Sequence, residues 1–377
     1  MRVIVIGAGL GGLTLAHGLR RRGIDVAVYE RDGALGRPQG VSLHVDGRGV
    51  AALRACLPPA HAAMAEATMG RPREQTLVLS EVDGEFTVVS TRTSDGVAGR
   101  PRPGRQAHRP LLRAVLLTEL DGVVGFGAEF TRFEQLADGT VRAWFADGGT
   151  DTADVLVGAD GIGSAVRRRY LPDVRVVDTG RRMLMGATPL RAVAGTGLPR
   201  LIGDSPAGMQ VRGTMMALGV LRFTQRPVTA REQWLPALRS HVVADAEDYV
   251  MWALPVTRER LGSPAEVWHR AQDLAAGLHP ALRSIVAEAW PDVTVALRIG
   301  TIPPMPAWPA SPVTVIGDAI HLAPGFGGNL AMQDAHRLCE ALVGAHHGRL
   351  DLLDAIGAYE DAMRRESFTS FTAKAGR

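Results

Sequence analysis

The apolar pattern opens with Val3–Ile6, a short β-branched run of the kind found in a buried parallel strand. Leu10–Arg22 changes to helical spacing, with Leu10, Leu13 and Leu19 among its apolar positions and Gly23 at its end. Asp25–Tyr29 returns to a strand, so the chain opens strand–helix–strand. Asp46–Leu57 predicts a helix stopped at Pro58–Pro59. Thr76–Ser80 and Glu85–Thr91 alternate about Asp83–Gly84, and Glu129–Gln135 and Thr140–Phe145 about Asp138–Gly139. Both are hairpin signals. Ser94–Gly104, rich in Gly, Pro and Arg, predicts a loop, and Arg109–Leu120 a helix. Asp154–Val157 predicts a buried strand, followed by a glycine turn and a helix to Tyr170.

From about Arg175 to Ile302 the character changes. Strand-like runs (Met183–Leu190, Met215–Phe223, Tyr249–Leu254) interleave with helical patterns near Ala265–Ala276 and Pro280–Ala289. Val313–Ile316 is again an apolar β-branched strand, and two helices follow, about Asn329–Val343 and Leu352–Thr372. The reading is an α/β fold of two domains. The first, Rossmann-like, takes residues 1–75, 100–175 and 303–345. A mixed-sheet α+β domain is inserted in it from 76–99 and 176–302, and 346–377 form a C-terminal helix.

Composition adds constraints. With 46% hydrophobic and 21% charged residues among 377, the chain can bury a large core. Its net charge of +3 comes with scattered arginines and no basic tract, which speaks against a nucleic-acid partner. Cys56 and Cys339 stand alone on predicted helices, which suits free thiols in a reducing compartment rather than a disulfide or zinc site. No long apolar span or leader-like cleavage pattern is found, so the expectation is a cytoplasmic protein without a membrane span.

Three motifs carry chemistry. Gly7-Ala8-Gly9-Leu10-Gly11-Gly12 follows a strand and opens a helix. Gly7 permits the turn, Gly9 lets the backbone approach a pyrophosphate, Gly12 allows close helix–strand packing, and the helix start offers N–H groups to phosphate. Glu30 ends the next strand, placed to accept from ribose hydroxyls and to repel a 2′-phosphate. In the second motif Asp160 follows the strand Asp154–Val157, a position that suits a ligand site or an ordinary strand–helix turn. In the third, Val313–Ile316 runs into Gly317-Asp318, then Pro324, Gly327, Gly328 and Asn329. Asp318 can accept from a sugar-alcohol hydroxyl, and Asn329 can cap the helix whose first N–H groups stabilise negative charge.

In this order and at these separations the three motifs resemble the class A flavoprotein monooxygenases, the para-hydroxybenzoate hydroxylase fold, over nearly the whole chain. The resemblance implies a GR2-type FAD-binding domain, with the adenine ribose on Glu30 and Arg31. It also implies an arginine on the FAD phosphates, Arg109, in a segment that otherwise reads as a solvated helix start. Phe130 matches a strand position whose backbone meets adenine. Asp160 matches a residue linked to FAD and NAD(P)H, Asp318 one that holds the ribityl chain, and Gln39 a further FAD contact. The loop from Pro324 to Asn329 is about three residues shorter than is usual in the family. The chain looks like the short form, without a C-terminal thioredoxin-like domain, similar to natural-product-tailoring and antibiotic-modifying hydroxylases.

The function so implied is oxygenation of a hydrophobic aromatic or polyketide-like small molecule. NADPH or NADH reduces FAD, and O2 reacts through a C4a-hydroperoxide. Halogenase, reductase and non-redox roles on the same fold are the alternatives. The protein is expected to be a monomer or homodimer. No acid–base pair stands out, because the cofactor performs the chemistry. His44 is either a strand histidine or a group facing the ring system. Met185, Met209 and Met216 belong either to a core or to an adaptable apolar substrate pocket. His321 has no companion ligands, and no metal is expected.

Overall fold

The computed structural model describes residues 1–34, 36, 39–94, 102–211, 213–256, 262–322 and 327–372, with the backbone alone for 367–372. Arg2–Ile6 pairs in parallel with Asp25–Glu30 on one side and Val155–Gly158 on the other. Val313–Val315 and Val124–Phe126 complete a five-stranded sheet. Val3, Ile4, Val5, Val155, Leu156 and Val157 are fully buried, which is why these strands read as continuous apolar runs. Four strands lie side by side in the order Val313–Val315, Val155–Gly158, Arg2–Ile6, Asp25–Glu30. Their carboxyl ends place Asp318, Asp160, the Gly7 loop and Glu30 along one sheet edge, where open α/β sheets bind ligands.

A second sheet has seven strands, in the order Val295–Thr301, Val177–Pro189, Tyr249–Val256, Thr214–Leu221, Ala207–Val211, Gln75–Val82, Glu85–Thr93. Side chains alternate across it. Leu184, Leu218, Val250, Trp252 and Leu254 pack with Val267, Ala271, Leu282, Ile285 and Val286 of the helices Pro264–Ala275 and Pro280–Ala287. Ala187, Leu221 and Tyr249 face the other way and cluster with Val41. A two-stranded ribbon, Ser42–Asp46 against Gly104–His108, lies between the two sheets.

The sequence pattern places His44 on a strand but does not reveal its partner, because Ser42–Asp46 and Gly104–His108 are too distant in sequence to signal each other. The helix Pro59–Ala67 was likewise hidden, because Pro59 stops one helix and opens the next from its first position. The helix from Arg109 ends at Leu117 rather than Leu120, since Thr118 is extended and Glu119 adopts a φ of 63°. Cys56 and Cys339 are free and buried, and both thiols crowd Gly18, where a Cβ would lie 2.8 Å from Cys339 Sγ and 3.1 Å from Cys56 Sγ. No helix among the described residues is long and apolar enough to cross a membrane.

One buried acid gives the fold a pH dependence. Glu360 is 1% exposed; its Oε1 accepts from Thr314 Oγ1 at 2.8 Å, and its Oε2 has no partner. Burial pushes its carboxyl from 4.5 up to about 7, against the pull of Thr314, Trp308 and Arg364. A folded pKa above the unfolded one means stability that is full below about pH 4.5 and falls as pH rises through 7, by roughly 3 kcal/mol. Glu360→Gln does not titrate. Urea unfolding should therefore show the variant gaining about 3 kcal/mol on the wild type between pH 4.5 and pH 8.5. A difference that does not change with pH would contradict this account.

Candidate functional site

The glycine loop is built for a close ligand. Gly7 has a φ of 112°, and a Cβ there would lie 2.4 Å from the Ala159 carbonyl oxygen. At Gly12 a Cβ would lie 2.1 Å from the Gly7 oxygen. Both glycines are demanded by packing. Gly11 is tight in another direction, against Ala331. Gly9 differs: its backbone is extended, and a Cβ there meets nothing within 4 Å. It is the N-cap of the helix Leu10–Arg20 and, as a glycine, brings no capping side chain to that helix start. The first-turn N–H groups at Leu10, Gly11 and Gly12 thus open onto free space.

Glu30 accepts from the Ala8 N–H at 2.8 Å through Oε2 and from the Asp32 N–H at 3.0 Å through Oε1. It ties the glycine loop to the end of its own strand. Arg31 is exposed next to it. Ala128 N–H donates to the Glu30 carbonyl at 2.9 Å, which brings the start of the strand Phe130–Gln135 to the same end of the sheet; the Phe130 side chain itself is buried in the core. Arg113, which the sequence reading passed over, donates to the Ala8 carbonyl at 3.1 Å and to the Ala34 carbonyl at 3.3 Å. It lies four residues after Arg109 on one helix, so a shared face was the available signal.

Arg109 and Gln39 are brought together: the guanidinium donates to the Gln39 backbone oxygen at 2.9 Å and to its Oε1 at 2.6 Å. Burial lowers the Arg109 pKa while Asp318 opposes the shift. Asp318 is exposed at the carboxyl end of its strand. The surrounding protein raises its carboxyl, and His321 and Arg109 pull it back. A Cβ at Gly327 would lie 2.5 Å from Asp318 Oδ1, so the helix Gly327–His346 starts against this carboxylate. A Cβ at Gly328 would meet Leu43 at 2.7 Å and Leu10 at 3.5 Å, linking helix, ribbon and glycine loop. Two buried groups brace the arrangement. Asp334 accepts from the Gly317 N–H at 2.8 Å and pairs with His321 at 2.5 Å. Arg167 donates to the Ala319 and Ile162 carbonyls at 2.7 and 3.0 Å, joining the second and third motifs.

Several expectations change in the structure. Asn329 is not an N-cap: the helix begins at Gly327, and Asn329 is fully buried inside its first turn. Its Oδ1 accepts from the Asp46 N–H at 2.9 Å and its Nδ2 donates to the His44 carbonyl at 2.7 Å, so its side chain holds the ribbon. Asp160 spends its carboxylate on the helix Ala165–Tyr170, accepting from Ser164 Oγ at 2.5 Å and from the Ala165 and Val166 N–H groups at 2.6 and 3.2 Å. The turn-chemistry alternative describes that carboxylate. The His44 ring is directed away from Gly328, because Leu43, the adjacent strand residue, takes that face. Its Nε2 pairs with the Arg102 carbonyl at 3.0 Å, and burial lowers its pKa. Met209 and Met216 are buried in the helix-covered core of the seven-stranded sheet, which is the core reading of these two residues. Met185 lies on the opposite face, where its sulfur would be 3.1 Å from a Cβ at Gly40. Pro324 lies outside the described residues. A cavity of about 510 Å³ opens elsewhere, bounded by Tyr170, Met305 and Trp308, and none of the three methionines borders it. Among the described residues no cluster of His, Cys, Asp or Glu suits a metal.

Taken together, the open space at Gly9, the free helix start, and the side chains of Glu30, Arg109 and Asp318 fit an extended dinucleotide such as FAD. Comparison with known proteins agrees. The NAD(P)-binding Rossmann-like domain family matches residues 5–42, and the FAD binding domain family matches residues 305–365. The dual O-methyltransferase/FAD-dependent monooxygenase CTB3 of Cercospora beticola is 31% identical over 96% of this chain. The chain spans only 44% of that relative. An FAD-dependent urate hydroxylase of Mycolicibacterium vanbaalenii is 29% identical over 89% of this chain and 78% of its own length. A crystallised Photorhabdus luminescens protein assigned as an FAD containing monooxygenase is 27% identical, with a TM-score of 0.80 over 100% of this chain and 97% of that one. With the FAD binding domain family falling on the segment that carries Asp318, and one fold shared from end to end, this chain is similar to FAD-dependent monooxygenases over its whole length.

Proposed function

We propose that this chain is an FAD-dependent monooxygenase that uses NADPH or NADH and O2 to place one oxygen atom on a hydrophobic aromatic or polyketide-like small molecule. The observation that carries this reading is the opening at Gly9, aligned along one sheet edge with Asp318, whose charge acts on Arg109. The N–H groups of Leu10, Gly11 and Gly12 hold the diphosphate, with Arg109 beside it. Glu30 takes the adenosine ribose, with Arg31 and the backbone near Phe130 at the same end. Asp318 accepts from the ribityl hydroxyls, with Gln39 presented by Arg109. The N–H groups at Gly327, Gly328 and Asn329 face the ring with the positive end of a helix.

When bound, FAD supplies two-electron redox chemistry and oxygen activation. The chain's own residues position it and exclude water. We assign the cofactor to residues 1–75, 100–175 and 303–345, and the substrate cover to 76–99 and 176–302, with Met185 on the covering face. A reducing cytoplasm suits the two buried thiols, and the proposed assembly is a monomer or homodimer. The test is anaerobic mixing of the FAD-loaded protein with NADPH or NADH and an aromatic substrate, followed by isotopically labelled O2. Substrate-dependent bleaching of the flavin and one labelled oxygen atom in the product are expected. Absence of bleaching with either reductant, or product oxygen drawn from water, would remove the reading.

A further inference from the structure

Between the ribbon and the seven-stranded sheet lies a polar cluster that cofactor binding does not use. Gln106 is 1% exposed; its amide acts on the Tyr249 hydroxyl, which itself donates to the Val41 carbonyl at 3.2 Å, and makes no other side-chain hydrogen bond among the described residues. A buried amide with so few partners is costly. Next to it is Arg73, 6% exposed. Its Nη2 donates to the Val220 carbonyl at 3.0 Å. Among the described residues no carboxylate forms an ion pair with Arg73; Asp204, whose charge it feels, is bonded to Arg222 at 2.8 Å. Burial lowers the Arg73 pKa to about 10, so it stays cationic at neutral pH. His108 completes the group with an unpartnered Nδ1, and burial pushes it down to about 4. Burial lowers the pKa of His44 in the same direction.

The sheet meets this cluster with small residues. A Cβ at Gly219 would lie 3.0 Å from Gln106 Oε1, 3.5 Å from Arg73 Nη2 and 3.5 Å from Met251 Cε. Ala217 and Ala253 continue the same face by strand alternation, and they pair directly. This strip of the sheet face is therefore built of small, apolar residues, with a cation lacking an ion-pair partner, the Gln106 amide and the Tyr249 hydroxyl at its end.

We propose that Arg73 and Gln106 recognise an ionised oxygen (phenolate, enolate or carboxylate) at one end of an otherwise flat, apolar substrate. Arg73 supplies the charge and a guanidinium N–H. Gln106 donates through Nε2 to the same oxygen, and its Oε1 accepts from a neighbouring hydroxyl. The proposal rests on the monooxygenase reading only in placing the substrate on this face of the sheet.

The test measures binding to the oxidised, FAD-loaded full chain by perturbation of the flavin absorbance, with no reductant present. Two matched pairs distinguish the oxygen: 1,3-dihydroxynaphthalene against its dimethyl ether, and 2-naphthoate against its methyl ester. The wild type should favour the acidic member of at least one pair by roughly tenfold or more. Arg73→Met and Gln106→Leu should each cut that preference to about threefold or less, with FAD affinity and binding of the capped probe unchanged. Gln106→Leu removes two buried polar atoms and leaves the Tyr249 hydroxyl its bond to the Val41 carbonyl, so it should fold at least as well as the wild type, which a purely structural glutamine would not allow. Equal binding of both members in both pairs, no binding of any probe, or a full preference surviving in the variants would overturn the proposal. Because no reductant is used, a protein that shows the preference but never oxygenates would count against the monooxygenase reading alone.

Discussion

Gly9→Val should give a folded protein that no longer holds FAD. Gly9 has φ −84° and ψ −175°, an extended conformation that any residue adopts, and a Cβ there touches nothing within 4 Å. The fold therefore has no steric need for glycine at this position, and the weaker N-cap preference of valine should cost only roughly 0.5–1 kcal/mol. The ligand does: branched methyl groups would fill the space in front of the Leu10–Gly12 N–H groups, where a diphosphate must approach within hydrogen-bond distance. Loss of that approach should weaken FAD by roughly 100-fold or more, about 3 kcal/mol. Flavin content after purification and titration of the apoprotein with FAD read the loss, and circular dichroism checks the fold. Gly7→Val and Gly12→Val are the contrasting controls. Their Cβ atoms would collide with backbone at 2.4 and 2.1 Å, so those variants should lose the fold along with the flavin. A folded Gly9→Val protein with full FAD occupancy would remove the glycine loop from the binding model.

Asn329→Ala should be among the most destabilising single changes near the cleft. Its side chain is fully buried and bonded to the Asp46 N–H and the His44 carbonyl. Alanine leaves both backbone groups unpaired and out of reach of water, at about 1–3 kcal/mol each, so a loss of roughly 3–4 kcal/mol is expected. The same change releases the ribbon Ser42–Asp46 from the start of the helix Gly327–His346, and FAD affinity should fall with it. Urea denaturation of the apoprotein measures the first effect without the second. A loss below about 1 kcal/mol would mean that the side chain is not clamped, and would return Asn329 to the role of a direct flavin contact.

These two residues divide what was readable from what was not. The Gly7–Gly12 loop was legible because strand, glycines and helix are adjacent in sequence, and each constraint on them is local. Even there, only the structure separates the glycines required by packing, Gly7 and Gly12, from the one required by a ligand, Gly9. Glu30, Asp160 and Asp318 were legible as carboxylates ending apolar strands. Their duties were not, because duty depends on the side-chain partner. Asp160 accepts from the start of the helix Ala165–Tyr170, Glu30 fastens the glycine loop, and Asp318 remains exposed.

The methionines make the same point through strand parity. Met185, Met209 and Met216 lie on strands of one sheet, and each strand reads as amphipathic or apolar by itself. Which side faces the cleft depends on how distant strands align. The observed register turns Met209 and Met216 into the helix-covered core and Met185 toward Gly40. Arg73 and Gln106 meet across the ribbon and the second sheet for the same reason, and neither residue carries a local signal.

The sequence by itself determined the strand–helix–strand opening, the return of the chain to a first sheet after a long insertion, and the order of the three motifs. Local periodicity and turn chemistry suffice for these. Only the tertiary structure decided which polar groups are satisfied within the protein and which are left for a ligand. That depends on register, side-chain direction and burial between segments hundreds of residues apart, and a linear pattern carries none of the three.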